Sequence, residues 1–164
     1  MAATVIVNEF HGPTATPVKT DKTSGTVRFK NADNATVDLN DPMVIPTAGT
    51  DISYEKILRL NATGTFTQIS NYKFYTDGAN SLGTGVSCLY KKEGAYGTPI
   101  EPPNTTGFTD IFAATSGAPV TLGTPNVTAA GDFGDFLTMI LTVDSTASQG
   151  TTTQETLTFS WDEI

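Results

Sequence analysis

The chain has 164 residues and a mass of 17.3 kDa, the size of one domain, and surface scaling allows about 70% of its unfolded surface to be buried. Charged residues make up 16% and hydrophobic ones 38%, beside 15 Gly, 9 Pro and 30 Thr, a composition weighted toward strands and turns. Nine basic against seventeen acidic side chains give 9 − 17 = −8, which opposes the counterion release behind most nucleic-acid affinity and argues against genome packaging.

In chain order, period-two patterning predicts strands over Thr4–Phe10, Thr26–Lys30, Ala35–Leu39, Tyr54–Ala62, Gln68–Thr76, Val86–Lys91 and Pro119–Leu122. The signal is clearest near the C-terminus. There Leu137, Met139, Leu141 and Val143 share one face, and Glu155, Leu157, Phe159 and Trp161 alternate with Thr156, Thr158, Ser160 and Asp162. These last two strands are expected to pair antiparallel, joined by a polar loop over Ser145–Thr153. Asn31-Ala32-Asp33-Asn34, Asp41-Pro42, Asp77-Gly78 and Gly83-Thr84-Gly85 supply reversals, and Asp132-Phe133-Gly134 reads as another turn between strands. A single helical turn around Thr109–Thr115 is the most the sequence allows. The 15 expected core residues are Val5, Val7, Val27, Phe29, Leu58, Leu60, Tyr72, Phe74, Leu89, Leu137, Met139, Leu141, Leu157, Phe159 and Trp161.

Two stretches read as connections. Gly12–Ser24 carries Pro13 and Pro17, and Glu93–Gly107 carries Gly94, Gly97, Pro99, Pro102 and Pro103, which disfavour ladders and helices alike. The expected organisation is therefore one domain over 1–164, with an N-terminal extension over 1–25 and a Pro/Gly-rich arm over 93–107 pre-set toward extended backbone. The fold class is all-β, an antiparallel two-sheet β-sandwich with jelly-roll or immunoglobulin-like connectivity and little or no helix.

Catalytic patterns are weak. One Cys, Cys88, and one His, His11, cannot build a zinc cage or an intramolecular disulfide, and Cys88 sits in an apolar strand where a small buried thiol is usual. Ser53-Tyr54-Glu55-Lys56 matches the nucleophile–base spacing S-x-x-K, but it lies at the start of a strand and lacks the partner motif. Asp33, Asp38, Asn40 and Asp41 offer oxygen ligands, but their spacing fits a solvated Asx-rich turn better than a calcium loop. The triplets at Asn34, Asn61, Asn104 and Asn126 are expected by chance in so Thr-rich a chain. Tyr72, Phe74, Tyr75, Tyr90 and Tyr96 could form a sugar-stacking platform, although core packing is the commoner use of such residues. The expectation is a non-enzymatic protein with no catalytic, cofactor-binding or metal-ligating residues and no cofactor. No run approaches the ~18 apolar residues of a membrane helix, and MAATVIVNEF lacks a secretory signal's pattern, so a chain made in the cytoplasm without membrane contact is expected.

Residues Gly49 to Leu60, GTDISYEKILRL, followed by Phe66 and by Ile69-Ser70-Asn71-Tyr72-Lys73-Phe74, resemble a pattern found in small structural proteins of tailed bacteriophages. The resemblance covers roughly a quarter of the chain. It implies a virion component, a decoration (cement) protein that binds the outer capsid surface and stabilises it. The implied partners are the major capsid protein and further copies of the chain as a homotrimer, with neither nucleic acid nor membrane involved. The candidate contacts are Thr4, Val5, Ile6, Val7 and Phe10 in the first strand and Tyr96, Ile100, Pro102 and Pro103 in the arm. The alternative is a tail- or fibre-associated module that binds a host glycan.

Overall fold

A computed structural model describes residues 2–123 and 126–164. Among these residues ten strands form two antiparallel sheets packed as a β-sandwich, as the alternation predicts. In chain order they are β1 (Thr4–His11), β2 (Val18–Asp21), β3 (Thr50–Ile52), β4 (Lys56–Thr63), β5 (Ile69–Tyr75), β6 (Val86–Glu93), β7 (Thr109–Asp110), β8 (Val120–Thr121), β9 (Gly131–Asp144) and β10 (Thr158–Glu163). A single 3₁₀ turn at Ile111–Ala113, its N-terminus capped by the Asp110 carboxylate, supplies the one helical element foreseen.

The sheets are unequal. Seven strands form the larger, in the order β2-β1-β4-β9-β6-β7 with β3 also on β9, while β10-β5-β8 form the smaller. Inward-facing residues of both make the main core: Val5 and Val7 of β1, Leu58 and Leu60 of β4, Tyr72 and Phe74 of β5, Cys88 of β6, and Leu137, Met139 and Leu141 of β9. A smaller cluster, Phe10, Ile57 and Phe136, lies on the alternate positions of β1, β4 and β9. At its middle β9 is buried on both faces, since Thr138 and Ile140 are as enclosed as Leu137.

Several expectations need correction. The last two strands do not pair: β9 bonds to β3, β4 and β6, whereas β10 bonds to β5 in the other sheet. The connection from 145 to 157 is long enough to cross between sheets, so sequence adjacency did not enforce a hairpin. Asp132-Phe133-Gly134 lies inside β9 rather than in a turn. Leu58 pairs with Leu137 but Leu60 with Phe133, and the surplus β9 residues bulge at Gly134, which has φ of +77°. A Cβ there would come within 2.9 Å of the Leu122 carbonyl oxygen. Across the bulge Phe133 stays on the main-core face with Leu137, and Phe136 faces the smaller cluster.

Thr26–Lys30 and Ala35–Leu39 form no strand, and the N-terminal 25 residues are no extension, because β1 and β2 form part of the larger sheet. Among the expected core residues Val27, Phe29, Leu89, Leu157 and Phe159 are only half-buried, and Trp161 is 36% exposed, past a register shift in β10. Phe74 is fully enclosed, with Tyr90 edge-on at 5.0 Å and Phe159 at 6.4 Å. Phe74→Ala is therefore expected to cost about 3–5 kcal/mol and Trp161→Ala less than about 1 kcal/mol, compared by urea unfolding at a common slope.

Candidate functional site

The expected contact residues divide by burial. Val5, Val7, Phe10 and Pro102 are buried within the chain, Ile6 and Tyr96 are half-buried, and Thr4, Ile100 and Pro103 are exposed. The arm does not project from the molecule. Tyr96 packs against Phe10 and Phe136 at 5.6 and 5.8 Å between ring centroids and donates its hydroxyl to the Gly12 carbonyl at 2.7 Å. Burial, with Asp33 nearby, pushes the Tyr96 phenol up to about 12. Further along, Glu55 N–H donates to the Ile100 carbonyl at 2.9 Å, and Thr14 N–H donates to the Thr98 hydroxyl at 2.8 Å. Its stiff backbone is thus latched onto its own large sheet.

Cations seal the same region. The Arg59 guanidinium lies 4.4 Å from the Phe136 ring centroid and donates from Nε to the Gly134 carbonyl, while Lys19 approaches the Phe10 ring and pairs with Asp132. Partial burial pushes the Asp132 carboxyl upward. The hydrogen bonds from Lys19 and Asn61 outweigh this and leave it below the ordinary carboxylate value.

Three lysines are withdrawn from solvent on the opposite, inward-facing side. Glu9 follows Val5 and Val7 on the inward positions of β1, and its carboxylate faces two ammonium groups, Lys22 at 3.4 Å and Lys56 at 3.6 Å. All three side chains are 6% exposed or less, and the Glu9 oxygens make charge contacts without a hydrogen bond. The hydrogen bonds of the two lysines go to backbone instead. Lys22 donates to the carbonyls of Thr26 and Ala35 at 2.9 and 2.8 Å, and Lys56 to those of Ala32 and Asn34 at 3.3 and 2.7 Å. Burial drives the Lys56 ammonium below its usual value, and the Glu9 charge counters this only in part. Nearby, buried Lys30 donates to Asp38 at 2.9 Å, and that bond holds the Asp38 carboxyl low.

These contacts explain why the 26–45 segment is ordered without joining a ladder: its carbonyls are bound by lysines. They also fix what the segment displays. Asp38 turns to Lys30, while Val37 is 54%, Leu39 74% and Val44 61% exposed, with Ile45 beside them in sequence. The sequence reading missed these four residues because it placed Val37 and Leu39 in a strand. Their signal was a segment with strand-like alternation but two nearby prolines, Pro42 and Pro46.

Because the small sheet has only three strands, it covers part of the large one. Over the remainder lies a cavity of about 1070 Å³, bordered by segments 22–29, 42–45 and 147–157 and partly open to solvent. Its walls include Val7, Leu58, Met139, Leu141 and Phe112, with Arg28 among the polar groups and Thr151, Thr152 and Thr153 among the loop residues.

Other residues singled out in the sequence are dispersed. The Ser53 hydroxyl accepts from Leu141 N–H and donates to the Tyr54 carbonyl, each at 3.0 Å, whereas Lys56 engages Glu9, so the S-x-x-K spacing brings no working pair together. His11 Nε2 lies 3.3 Å from the Thr20 hydroxyl. Cys88 carries a free buried thiol pushed up to about 12 by burial and, less strongly, by Asp110 and Glu155. Asp33 accepts from Gly12 N–H, Asp38 binds Lys30 and Asn40, and among the described residues no group of three or more His, Cys, Asp or Glu side chains is placed to hold a metal ion. The aromatic platform is not assembled: Tyr72 and Phe74 are in the main core, Tyr90 packs on Phe74, and Tyr96 joins the smaller cluster. Comparison with known protein families, curated proteins and solved structures finds no match.

Two measurements check this electrostatic account. Glu9→Gln removes the ion-pair partner of two buried ammonium groups and is expected to cost about 3–5 kcal/mol in denaturant unfolding, with faster hydrogen exchange across 26–45. Asp132 has a lowered folded pKa, so its contribution is present above the unfolded value near 3.8 and is lost as pH falls through the folded value. Asp132→Asn should therefore destabilise by about 0.2–1 kcal/mol at pH 7, given a half-exposed Lys19, with the gap to the parent closing below pH 3.8.

Proposed function

We propose that this chain is a non-enzymatic structural protein of a tailed-bacteriophage virion, a decoration protein that binds the outer capsid surface as a homotrimer and stabilises the shell. The observation that carries this reading is the lysine-anchored 26–45 segment. Buried ammonium groups fix its backbone while Val37, Leu39 and Val44 stand in solvent. Exposed apolar side chains on a pre-ordered segment suit surface binding, because little conformational entropy is lost when a partner covers them. Exposed Thr4, Ile100 and Pro103 add surface for neighbouring copies. The resemblance over residues 49–74 supports a virion protein, and that stretch carries β3, β4 and most of β5 together with Lys56 of the Glu9 cluster. The glycan-binding alternative gains no platform from Tyr72, Tyr90 and Tyr96, which are divided between two clusters.

Quantified particles decide the reading. A decoration protein is present at a stoichiometry near that of the capsid protein, and capsids lacking it lose resistance to heat and osmotic shock. Leu39→Asp combined with Val44→Asp is expected to reduce capsid occupancy at least tenfold, about 1.4 kcal/mol, while changing the unfolding free energy by no more than about 0.5 kcal/mol. A handful of copies per virion, or stripped capsids as robust as decorated ones, would refute the proposal.

A further inference from the structure

The 1070 Å³ cavity lies just above the usual size range of small-molecule pockets, roughly 300–1,000 Å³. It opens partly to solvent, so water reaches its lining when no other molecule occupies it. Water fills it poorly along one wall, where Val7, Leu58, Met139 and Leu141 offer no hydrogen bond from their side chains.

One cation on the lining lacks a partner. Arg28 makes neither a hydrogen bond nor an ion pair through its side chain among the described residues, and its Nε is buried without an acceptor. This is unusual in so acidic a chain, where 17 carboxylates outnumber nine bases and Lys19, Lys22, Lys30, Lys56 and Lys91 all have acidic partners. Lys22, the other cation on the lining, is already committed to Glu9 and two backbone carbonyls. A chamber with one apolar wall, whose one unpaired guanidinium can form a forked pair with a planar anion, is complementary to a molecule with a hydrocarbon tail and a carboxylate head; the Glu155 carboxylate, also on the lining, accepts from the Ser81 N–H at 2.6 Å.

We propose that the cavity binds a single-chain alkyl carboxylate, its tail along the inner face of β4 and β9 and its head paired with Arg28. The site does not depend on the virion role: a capsid protein and a protein of another kind could each carry it. The 147–157 connection contributes polar residues such as Gln149 and Thr152 to the lining, and the cavity opens partly to solvent.

The test titrates the full-length, delipidated protein with dodecanoate, dodecanol and dodecyltrimethylammonium, followed by calorimetry and native mass spectrometry. Dodecanoate is expected to bind one per chain, at least tenfold more tightly than dodecanol, with the cationic amphiphile weaker still. Arg28→Gln should reduce dodecanoate affinity about tenfold without changing that for dodecanol, and Arg28→Lys should recover part of the loss. Each variant's fold is checked by its thermal transition. If Arg28→Gln is not folded, the Arg28→Lys protein and the three-ligand ranking in the parent decide the question. Absence of stoichiometric dodecanoate binding, equal affinity for acid and alcohol, or full binding by a folded Arg28→Gln protein would each overturn the proposal.

Discussion

Glu9 stands between the ammonium groups of Lys22 and Lys56 on the inner face of the large sheet, and the remaining architecture on that side depends on this contact. Removing three charges from water is costly, and a carboxylate at 3.4 and 3.6 Å recovers only part of the loss. The rest is recovered by the backbone carbonyls of Thr26, Ala32, Asn34 and Ala35, which satisfy the lysine protons and are themselves satisfied in return. The cluster therefore substitutes for a strand. It attaches a long irregular segment to a sheet face that the three-stranded partner sheet leaves uncovered.

Two features share this origin. Backbone fixed by lysines rather than by a ladder need not turn its apolar side toward the core, so Val37 and Leu39 can both face outward. A segment held along one margin also does not fill the space over β4 and β9, and the cavity is what remains between it and the 147–157 connection. The opposite face of the large sheet is closed in the ordinary way, by Tyr96 and the arm over Phe10 and Phe136, with Arg59 stacked on the aromatic cluster. Apolar packing dominates one face and buried charge the other.

Much of the scaffold was legible from period alone. β1, β4, β5 and β6 fall within a few residues of their expected bounds, and Leu58, Leu60, Leu137, Met139 and Leu141 are buried as their alternation requires. The candidate site was less legible. Lysine is ordinarily a surface residue, and nothing local to Lys22, Lys30 or Lys56 reveals that each ends inside, because their partners lie between 8 and 47 positions away in the chain. Val37 and Leu39 misled for the same reason: their alternation was real, but no neighbouring strand was free to receive it.

The sequence by itself determined the class, because β-branched Thr and Val at alternate positions favour pleated backbone and turn residues between them force reversals. It also determined that Cys88 is a packed thiol and that helix is confined to one turn near Ile111. Only the tertiary structure decided which strands pair, that β10 leaves β9 for the other sheet, that Trp161 faces water, and that Glu9 gathers two lysines. Alternation states that a strand has an apolar face but not which surface will cover it, and a charge can be buried only where chain from elsewhere brings its counter-charge.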